Sequence, residues 1–248
     1  MSDVFKTALV TGASSGIGRA VAESLLARGL AVHATARRAE RLAEIAGAVP
    51  HALDLLDRDA IYRAFEGLEI DVLVANAGTA RGYDGLVDAS PDDLDATFGA
   101  NLGGFAHTVR AVLPGMIARG RGHIVAIGSV TGIYPTGSAV YGASKGAVRL
   151  FCQNLRLELR GTGVRTTEIC PGRVATEIYD AAFDDPALTA RYKATGIREL
   201  QPADVAEAVL YALDQPSRVN VATIEITPVE QSYGGAHFAP VEKLSDEA

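Results

Sequence analysis

The 248-residue sequence predicts an α/β fold: a three-layer α/β/α sandwich around one doubly wound parallel sheet, formed as a single domain. Three observations carry that prediction. Seven short apolar runs of strand length recur along the chain, helical patterns stand between them, and a glycine-rich turn joins the first run to the first helix. Strands in β-α-β-α order pair in parallel, and right-handed helical crossovers then cover both faces of the sheet. No linker-like shift in composition interrupts the alternation, so residues 1–248 read as one domain.

The first strand, Thr7–Val10, runs through Thr11-Gly12-Ala13-Ser14-Ser15-Gly16-Ile17-Gly18 into the helical run 19–26. Small residues at such a junction leave the first helical N–H groups and the positive end of the helix dipole facing open space, ready for a pyrophosphate. The spacing G-x-x-x-G-x-G differs from the usual dinucleotide fingerprint G-x-G-x-x-G, so the rest of the chain has to support that reading. The second strand, Ala31–Ala36, is followed by Arg37 and Arg38. The third, His51–Leu53, is followed by Asp54 and Leu55, and the fourth, Val72–Ala75, by Asn76-Ala77-Gly78. A helical pattern over 92–118 contains Asn101. The fifth strand, His123–Ile127, precedes Ser129, and the pattern over 138–160 places Tyr141 and Lys145 four residues apart on one helix face. The sixth strand, Arg165–Ile169, leads to Pro171-Gly172-Arg173. A weakly patterned stretch at 174–200 mixes Tyr179, Phe183, Asp184, Asp185, Pro186 and Gly196; it reads either as a substrate lid or as a short helical surface insertion. Gln201-Pro202-Ala203-Asp204 then starts a fresh helix, and Thr223–Ile226 is the last strand.

A net charge of −7 and a pI near 5.3, with no basic run and few aromatics, make nucleic acid and anionic membrane surfaces unexpected partners. Cys152 and Cys170 lack metal-ligand companions, so neither a disulfide framework nor a metal site is expected. The five histidines fall outside the motifs and read as structural. With no leader-like segment before the first strand and no apolar run of about 18 residues, the expectation is a cytoplasmic protein.

Taken together, the motifs resemble the short-chain dehydrogenase/reductase family over nearly the whole chain. Thr11-Gly12-x-x-x-Gly16-x-Gly18, Asp54, Asn76-Ala77-Gly78, Asn101, Ser129, Tyr141-x-x-x-Lys145 and Pro171-Gly172 stand in family order, with Ala75 where many members carry a second Asn. The resemblance implies a Rossmann fold and hydride transfer between a nicotinamide dinucleotide and an alcohol or carbonyl. By it Tyr141 is the general acid/base, Ser129 holds the substrate oxygen, Lys145 binds the nicotinamide ribose and acidifies Tyr141, and Asn101 supports a proton relay. The cofactor set it implies begins with Gly12, Ser14, Ser15, Gly16, Ile17 and Gly18, continues through Arg37, Arg38, Asp54, Leu55, Asn76, Ala77 and Gly78, and closes with Tyr141, Lys145, Pro171, Gly172, Val174 and Thr176. To act as a base near pH 7 to 8 a tyrosine must lose about two to three pKa units, roughly 3 to 4 kcal/mol. An ammonium about 4 Å away at an effective dielectric near 20 supplies up to roughly that much.

The residue ending the second strand faces the adenosine ribose in such folds, and an acid there favours NAD. Here it is Ala36, followed by two arginines able to grip a 2′-phosphate, which favours NADP(H); the other reading has Arg37 and Arg38 open a charged, solvated helix. The stretches 110–116, 122–125, Tyr134-Pro135 and 227–233 are similar to the NADP-dependent 3-hydroxy acid (serine/allo-threonine) dehydrogenases, and aldehyde reductases of the sulfoacetaldehyde and clavulanate type share much of the pattern. The expected substrate is therefore a 3-hydroxy acid or a small aldehyde or ketone. Arg173 either binds an anionic substrate or pairs with a carboxylate of the 174–200 stretch such as Glu177. The resemblance further implies a homotetramer built on helices 92–118 and 138–160, where Phe105, Val109, Val112, Leu150, Phe151 and Leu155 offer more apolar surface than one sheet requires. The competing reading is a catalytically silent NADPH-binding sensor, against which stand Asn101, Ser129, Tyr141 and Lys145, residues a pure binding module does not need.

Overall fold

In the computed structural model the described residues are 5–232 and 238–241, so Tyr233 of the last similar stretch lies outside them. The chain alternates through β1 (Thr7–Thr11), α1 (Gly16–Ala27), β2 (Ala31–Ala36), α2 (Ala39–Ala43), β3 (Val49–Ala52), α3 (Arg58–Phe65) and β4 (Val72–Ala75). A continuous helical path follows, made of α4 (Pro91–Phe98), a π-helical turn (Gly99–Gly104) and α5 (Phe105–Ala118). Next come β5 (Gly122–Ile127), a 3₁₀ turn (Val130–Gly132), α6 (Ala139–Glu158), β6 (Val164–Pro171), α7 (Ile178–Ala182), α8 (Pro186–Lys193), α9 (Pro202–Asp214) and β7 (Thr223–Ile226). All seven expected strands form. The third starts at Val49, ahead of the expected His51, because pairing with β2 begins at His33↔Val49.

The strands are parallel throughout, in the order β3-β2-β1-β4-β5-β6-β7. Their alternation divides the core between two faces. Ala8, Val10, Val72 and Val74 join Val21, Leu25, Val205 and Val209 of α1 and α9 on one face. Leu9, Leu73, Ile124 and Ala126 join Ile61, Val112, Met116, Val148 and Leu155 of α3, α5 and α6 on the other. Each large side chain so buried stabilises the fold by about 1.5 to 3 kcal/mol, and a one-residue slip of a central strand would exchange the two sets, so the register is firmly specified. Strand order reverses between β1 and β4, and a crevice opens there at the carboxyl ends of the strands, the usual ligand position in such sheets.

The helices depart from the sequence expectations at three places. The pattern over 92–118 is one path, but it is widened by the π turn, in which three of six residues are glycine. The stretch 174–200 folds into α7 and α8, tied at its base by the bridge Val174↔Leu200 and by the Leu200 amide donating to the Arg173 carbonyl at 3.1 Å. The apolar surplus expected on the long helices is smaller than the sequence suggested: Phe105, Val109, Val112 and Leu155 are buried in the chain's own core, and Phe151 packs on Phe105 with ring centroids 5.0 Å apart. Of the six, Leu150 alone is exposed, at 58%. Cys152 and Cys170 are free and buried, and among the described residues no helix is long and apolar enough to cross a membrane.

Candidate active site

The site begins where β1 ends. The chain turns through Gly12 at φ +67°, a conformation strained for residues bearing a side chain, and a Cβ there would also lie 2.8 Å from Asn76 Nδ2. A Cβ on Gly18 would stand 2.4 Å from the Gly12 carbonyl oxygen, so α1 sits this close to the turn only because Gly18 has none. Thr11 and Asn76 then lock the two strand ends at the switch point. The Asn76 and Ala77 amides each donate to Thr11 Oγ1 at 3.0 Å, and Asn76 Nδ2 donates to the Thr11 carbonyl at 3.0 Å. Ser15 precedes α1 without making a side-chain cap, which leaves the helix's leading N–H groups to the crevice.

One cavity of about 940 Å³ runs from this turn across the sheet's carboxyl edge. Every residue the sequence nominated for the site lines it except Gly18 and Asn101. Gly18 acts through packing, and Asn101 lies behind the wall: Gly78 lines the cavity, and a Cβ built on it would be 2.8 Å from Asn101 Oδ1 and 3.8 Å from Lys145 Nζ. Asn101 is 2% exposed; its Oδ1 accepts from the Thr79 amide at 2.8 Å, and its Nδ2 donates to the Thr79 carbonyl and to Ser144 Oγ, both at 2.9 Å.

Ser129 follows β5 and leads the 3₁₀ turn, its Oγ accepting from the Thr131 amide at 3.2 Å. Tyr141 and Lys145, one turn apart on α6, are both buried, which excludes a solvated pair. Lys145 Nζ donates to the Ile127 carbonyl at 2.8 Å and lies 5.9 Å from the centroid of the Tyr141 ring. Burial pushes the Tyr141 phenol above the usual tyrosine value, nearby Tyr83 adds to this, and the Ser129 hydroxyl opposes it. Burial also lowers Lys145 to about 8, against the raising influence of Glu168 and the two cysteines. In the chain by itself desolvation prevails over the lowering hydrogen bond from Ser129, so the Tyr141 phenol is protonated at neutral pH.

At the far end of the cavity, Arg38 donates from Nε and Nη2 to Ser14 Oγ at 3.2 and 3.0 Å and from Nη2 to Ser15 Oγ at 2.8 Å. Arg37 lines the same end and forms no ion pair among the described residues. Asp54 Oδ1 accepts from the Leu56 amide at 3.0 Å. Arg173 resolves toward the pairing reading, although its partner is Glu199, not Glu177: Nε donates to Glu199 Oε1 at 2.7 Å, Nη2 donates to the Tyr192 carbonyl, and the guanidinium lies 4.2 Å from the Tyr179 ring centroid. Two faces of this arginine are thus occupied by the protein itself. The glycine turn, the uncapped helix start and the arginines fit a phosphorylated dinucleotide, whose reactive end would reach Ser129, Tyr141 and Lys145.

Residues 6–187 match the short chain dehydrogenase family. The chain belongs to that family. It is 42% identical over 241 residues to the NADP-dependent 3-hydroxy acid dehydrogenase YdfG of Escherichia coli K12, covering 92% of this chain and 96% of the relative. It is also 42% identical over 244 residues to the uncharacterized short-chain type dehydrogenase/reductase y4eK of Sinorhizobium fredii, covering 96% of this chain and 98% of the relative. Among solved structures, the closed form of serine dehydrogenase complexed with NADP+ superposes with a TM-score of 0.86 at 40% identity, covering 92% of this chain and 97% of the other.

For a short-chain dehydrogenase, the structure adds residues that the motifs do not name. Tyr83 packs on Tyr141 at 5.6 Å between centroids, and Tyr179, Phe183 and Tyr192 of the 174–200 stretch close around Tyr83 at 5.5, 6.4 and 5.4 Å. The cluster gives the reacting end of the cavity an apolar roof. A signal was present in the sequence: Tyr179 and Phe183 stand four apart, the spacing of one helix face, in a stretch that also carries Tyr192. The motifs also leave out Ser144, whose hydroxyl donates to the Tyr141 carbonyl at 2.8 Å while accepting from Asn101.

Proposed function

We propose that this short-chain dehydrogenase uses NADP(H) to interconvert a small alcohol and its carbonyl, with a 3-hydroxy acid or a small aldehyde or ketone as substrate. The observation that carries the reading is the single cavity joining buried Ser129, Tyr141 and Lys145 to the arginines that follow β2. The absence of a carboxylate at Ala36 and the availability of Arg37 favour a 2′-phosphate, and the NADP-dependent relatives support the same choice. The dinucleotide supplies the site that gives or takes hydride. The chain supplies the rest: the Gly12–Gly18 turn holds the pyrophosphate, Arg37 and Arg38 the 2′-phosphate, Asp54 the adenine amino group, and Tyr141 with Lys145 the nicotinamide ribose. Asn76, Ala77, Gly78, Pro171, Gly172, Val174 and Thr176 complete the walls, with residues 174–200 as the lid.

In reduction the hydroxyls of Ser129 and Tyr141 hold the carbonyl oxygen, and Tyr141 donates its proton to it; in oxidation the phenolate takes that proton back. The burial that keeps Tyr141 protonated suits the reductive direction. Lys145, anchored on the Ile127 carbonyl beside Gly78, passes the replacement proton from the side where Asn101 lies. A substrate carboxylate needs a cation, and Arg173 is held by Glu199. Arg191 of α8 lines the same cavity without a carboxylate partner among the described residues, and we assign it that role. The family resemblance supports a cytoplasmic homotetramer.

The test is a rate screen of the purified protein with NADPH against small aldehydes and 3-oxo acids and with NADP+ against 3-hydroxy acids, repeated with NADH and NAD+. Turnover with the phosphorylated cofactors at least about tenfold faster is expected. Arg191→Ala should raise KM for acidic substrates and spare neutral ones. Equal use of NADH, or no turnover on any substrate, would overturn the assignment.

A further inference from the structure

The cofactor reading gives Arg38 to a phosphate, yet a carboxylate of the chain already engages it. Glu177, the residue preceding α7, accepts from Arg38 Nη1 at 3.0 Å and from Arg41 Nη1 at 2.7 and 2.9 Å. Arg38's remaining nitrogens rest on Ser14 and Ser15, so one guanidinium bridges the glycine turn and the base of the 174–200 stretch. Thr176 beside it packs over the turn, its Cγ2 only 3.1 Å from where a Gly16 Cβ would stand. Arg41, and then Arg38, hold Glu177 below the usual carboxylate range, so it stays charged at neutral pH. All three side chains remain 40 to 47% exposed, within reach of an incoming anion.

We propose that Glu177 is an internal counter-anion of the 2′-phosphate site: a 2′-phosphorylated dinucleotide binds by displacing Glu177 from Arg38, whereas an unphosphorylated one leaves the pair in place. The inference rests on the NADP(H) reading above. A phosphate monoester carries nearly two charges and three acceptor oxygens, against one charge and two oxygens for the carboxylate, so it wins the guanidinium. An exposed ion pair is weak, so the exchange is readily made. Glu177 thereby becomes a specificity-determining residue, because only the phosphorylated cofactor removes one of the two arginine anchors that hold it at the base of the lid.

The probes are 2′,5′-ADP and 5′-AMP, which differ by the phosphate alone, titrated calorimetrically into the full chain and into its Glu177→Gln variant. The variant should bind 2′,5′-ADP about two- to tenfold more tightly, the scale of one or two exposed ion pairs, with 5′-AMP unchanged. In the wild type, tryptic cleavage after Arg191 or Lys193 should accelerate with 2′,5′-ADP and not with 5′-AMP, a comparison that needs no variant to fold. Weaker binding of 2′,5′-ADP by the variant would mean that Glu177 orients Arg38, and an equal gain for both nucleotides would mean a general charge effect; either result overturns the proposal. A wild type that prefers 2′,5′-ADP, beside a variant with unchanged affinity, would overturn it while leaving the NADP(H) reading standing. A wild type that binds both nucleotides equally would remove the arginine site and the proposal together.

Discussion

Burial does more to Tyr141 than any neighbouring charge does, and the consequence is a phenol that keeps its proton until a substrate oxygen takes it. Tyr141→Phe should therefore abolish turnover while leaving the NADPH dissociation constant within a few fold, because the ring still fills the wall under Tyr83; retained turnover would remove Tyr141 from the acid/base role. Lys145 gives a second test. Its folded-state value lies near 8, below the ordinary lysine value, so the ammonium is present below that pH and lost above it. Because kcat/KM for NADPH reports groups of the free enzyme, it should fall about tenfold per unit as pH rises beyond 8. A profile flat to pH 9.5 would contradict this. The direction of the Tyr141 shift was not legible in the sequence, because spacing places an ammonium beside a phenol, whereas desolvation depends on how deeply the whole fold buries both.

Among the elements, the π turn between α4 and α5 has the clearest consequence for the site, since it presents the Asn101 amide to Thr79 and Ser144 at once and so ties the loop after β4 to α6. Asn101→Ala would leave the Thr79 amide and carbonyl without that partner, costing about 1 to 3 kcal/mol or roughly 2 to 10 °C in Tm, and kcat should fall further than cofactor affinity. An unchanged Tm would show that the tie carries no load. Much of this element map was legible. The strands announce themselves as apolar runs, and α9 starts at Pro202 behind a capping box of Gln201 and Asp204, as its sequence suggests. The π turn was not legible, because glycines permit the wider turn while contacts across the fold decide it. Nor were α7 and α8. No residue of α8 is buried, so no periodic stripe marks it. The stretch is held by distant pairs, Arg81 with Asp184 at 2.9 Å and Tyr192 with Asp84 at 2.5 Å, and nothing local distinguishes those partners from other charges. Arg173 choosing Glu199 over Glu177 is the same ambiguity at the site.

Viewed as a whole molecule, the fold consumes most of the apolar surface that its long helices offer, and what remains outside is the argument for assembly. The buried stripe of α6 runs through Tyr141, Lys145, Val148, Cys152 and Leu155, while Leu150 and Leu157, seven residues apart on another face, stay 58% and 60% exposed. Ile117 of α5 and Phe98 of α4 add 42% and 39% exposed positions on the neighbouring helices. Covering a leucine contributes about 1.5 to 3 kcal/mol, and a two-fold interface presents each leucine twice, so these two positions weigh heavily in any α6-to-α6 contact. The proposed homotetramer predicts a light-scattering mass of four chains of 25.9 kDa each for the wild type. Replacing Leu150 and Leu157 together by Glu buries four carboxylates in every such contact, and the expected product is a dimer whose circular dichroism matches the parent, because neither leucine belongs to the protomer's core. A monomeric wild type at micromolar concentration, or a double variant that stays tetrameric, would show that these leucines face solvent in the working enzyme.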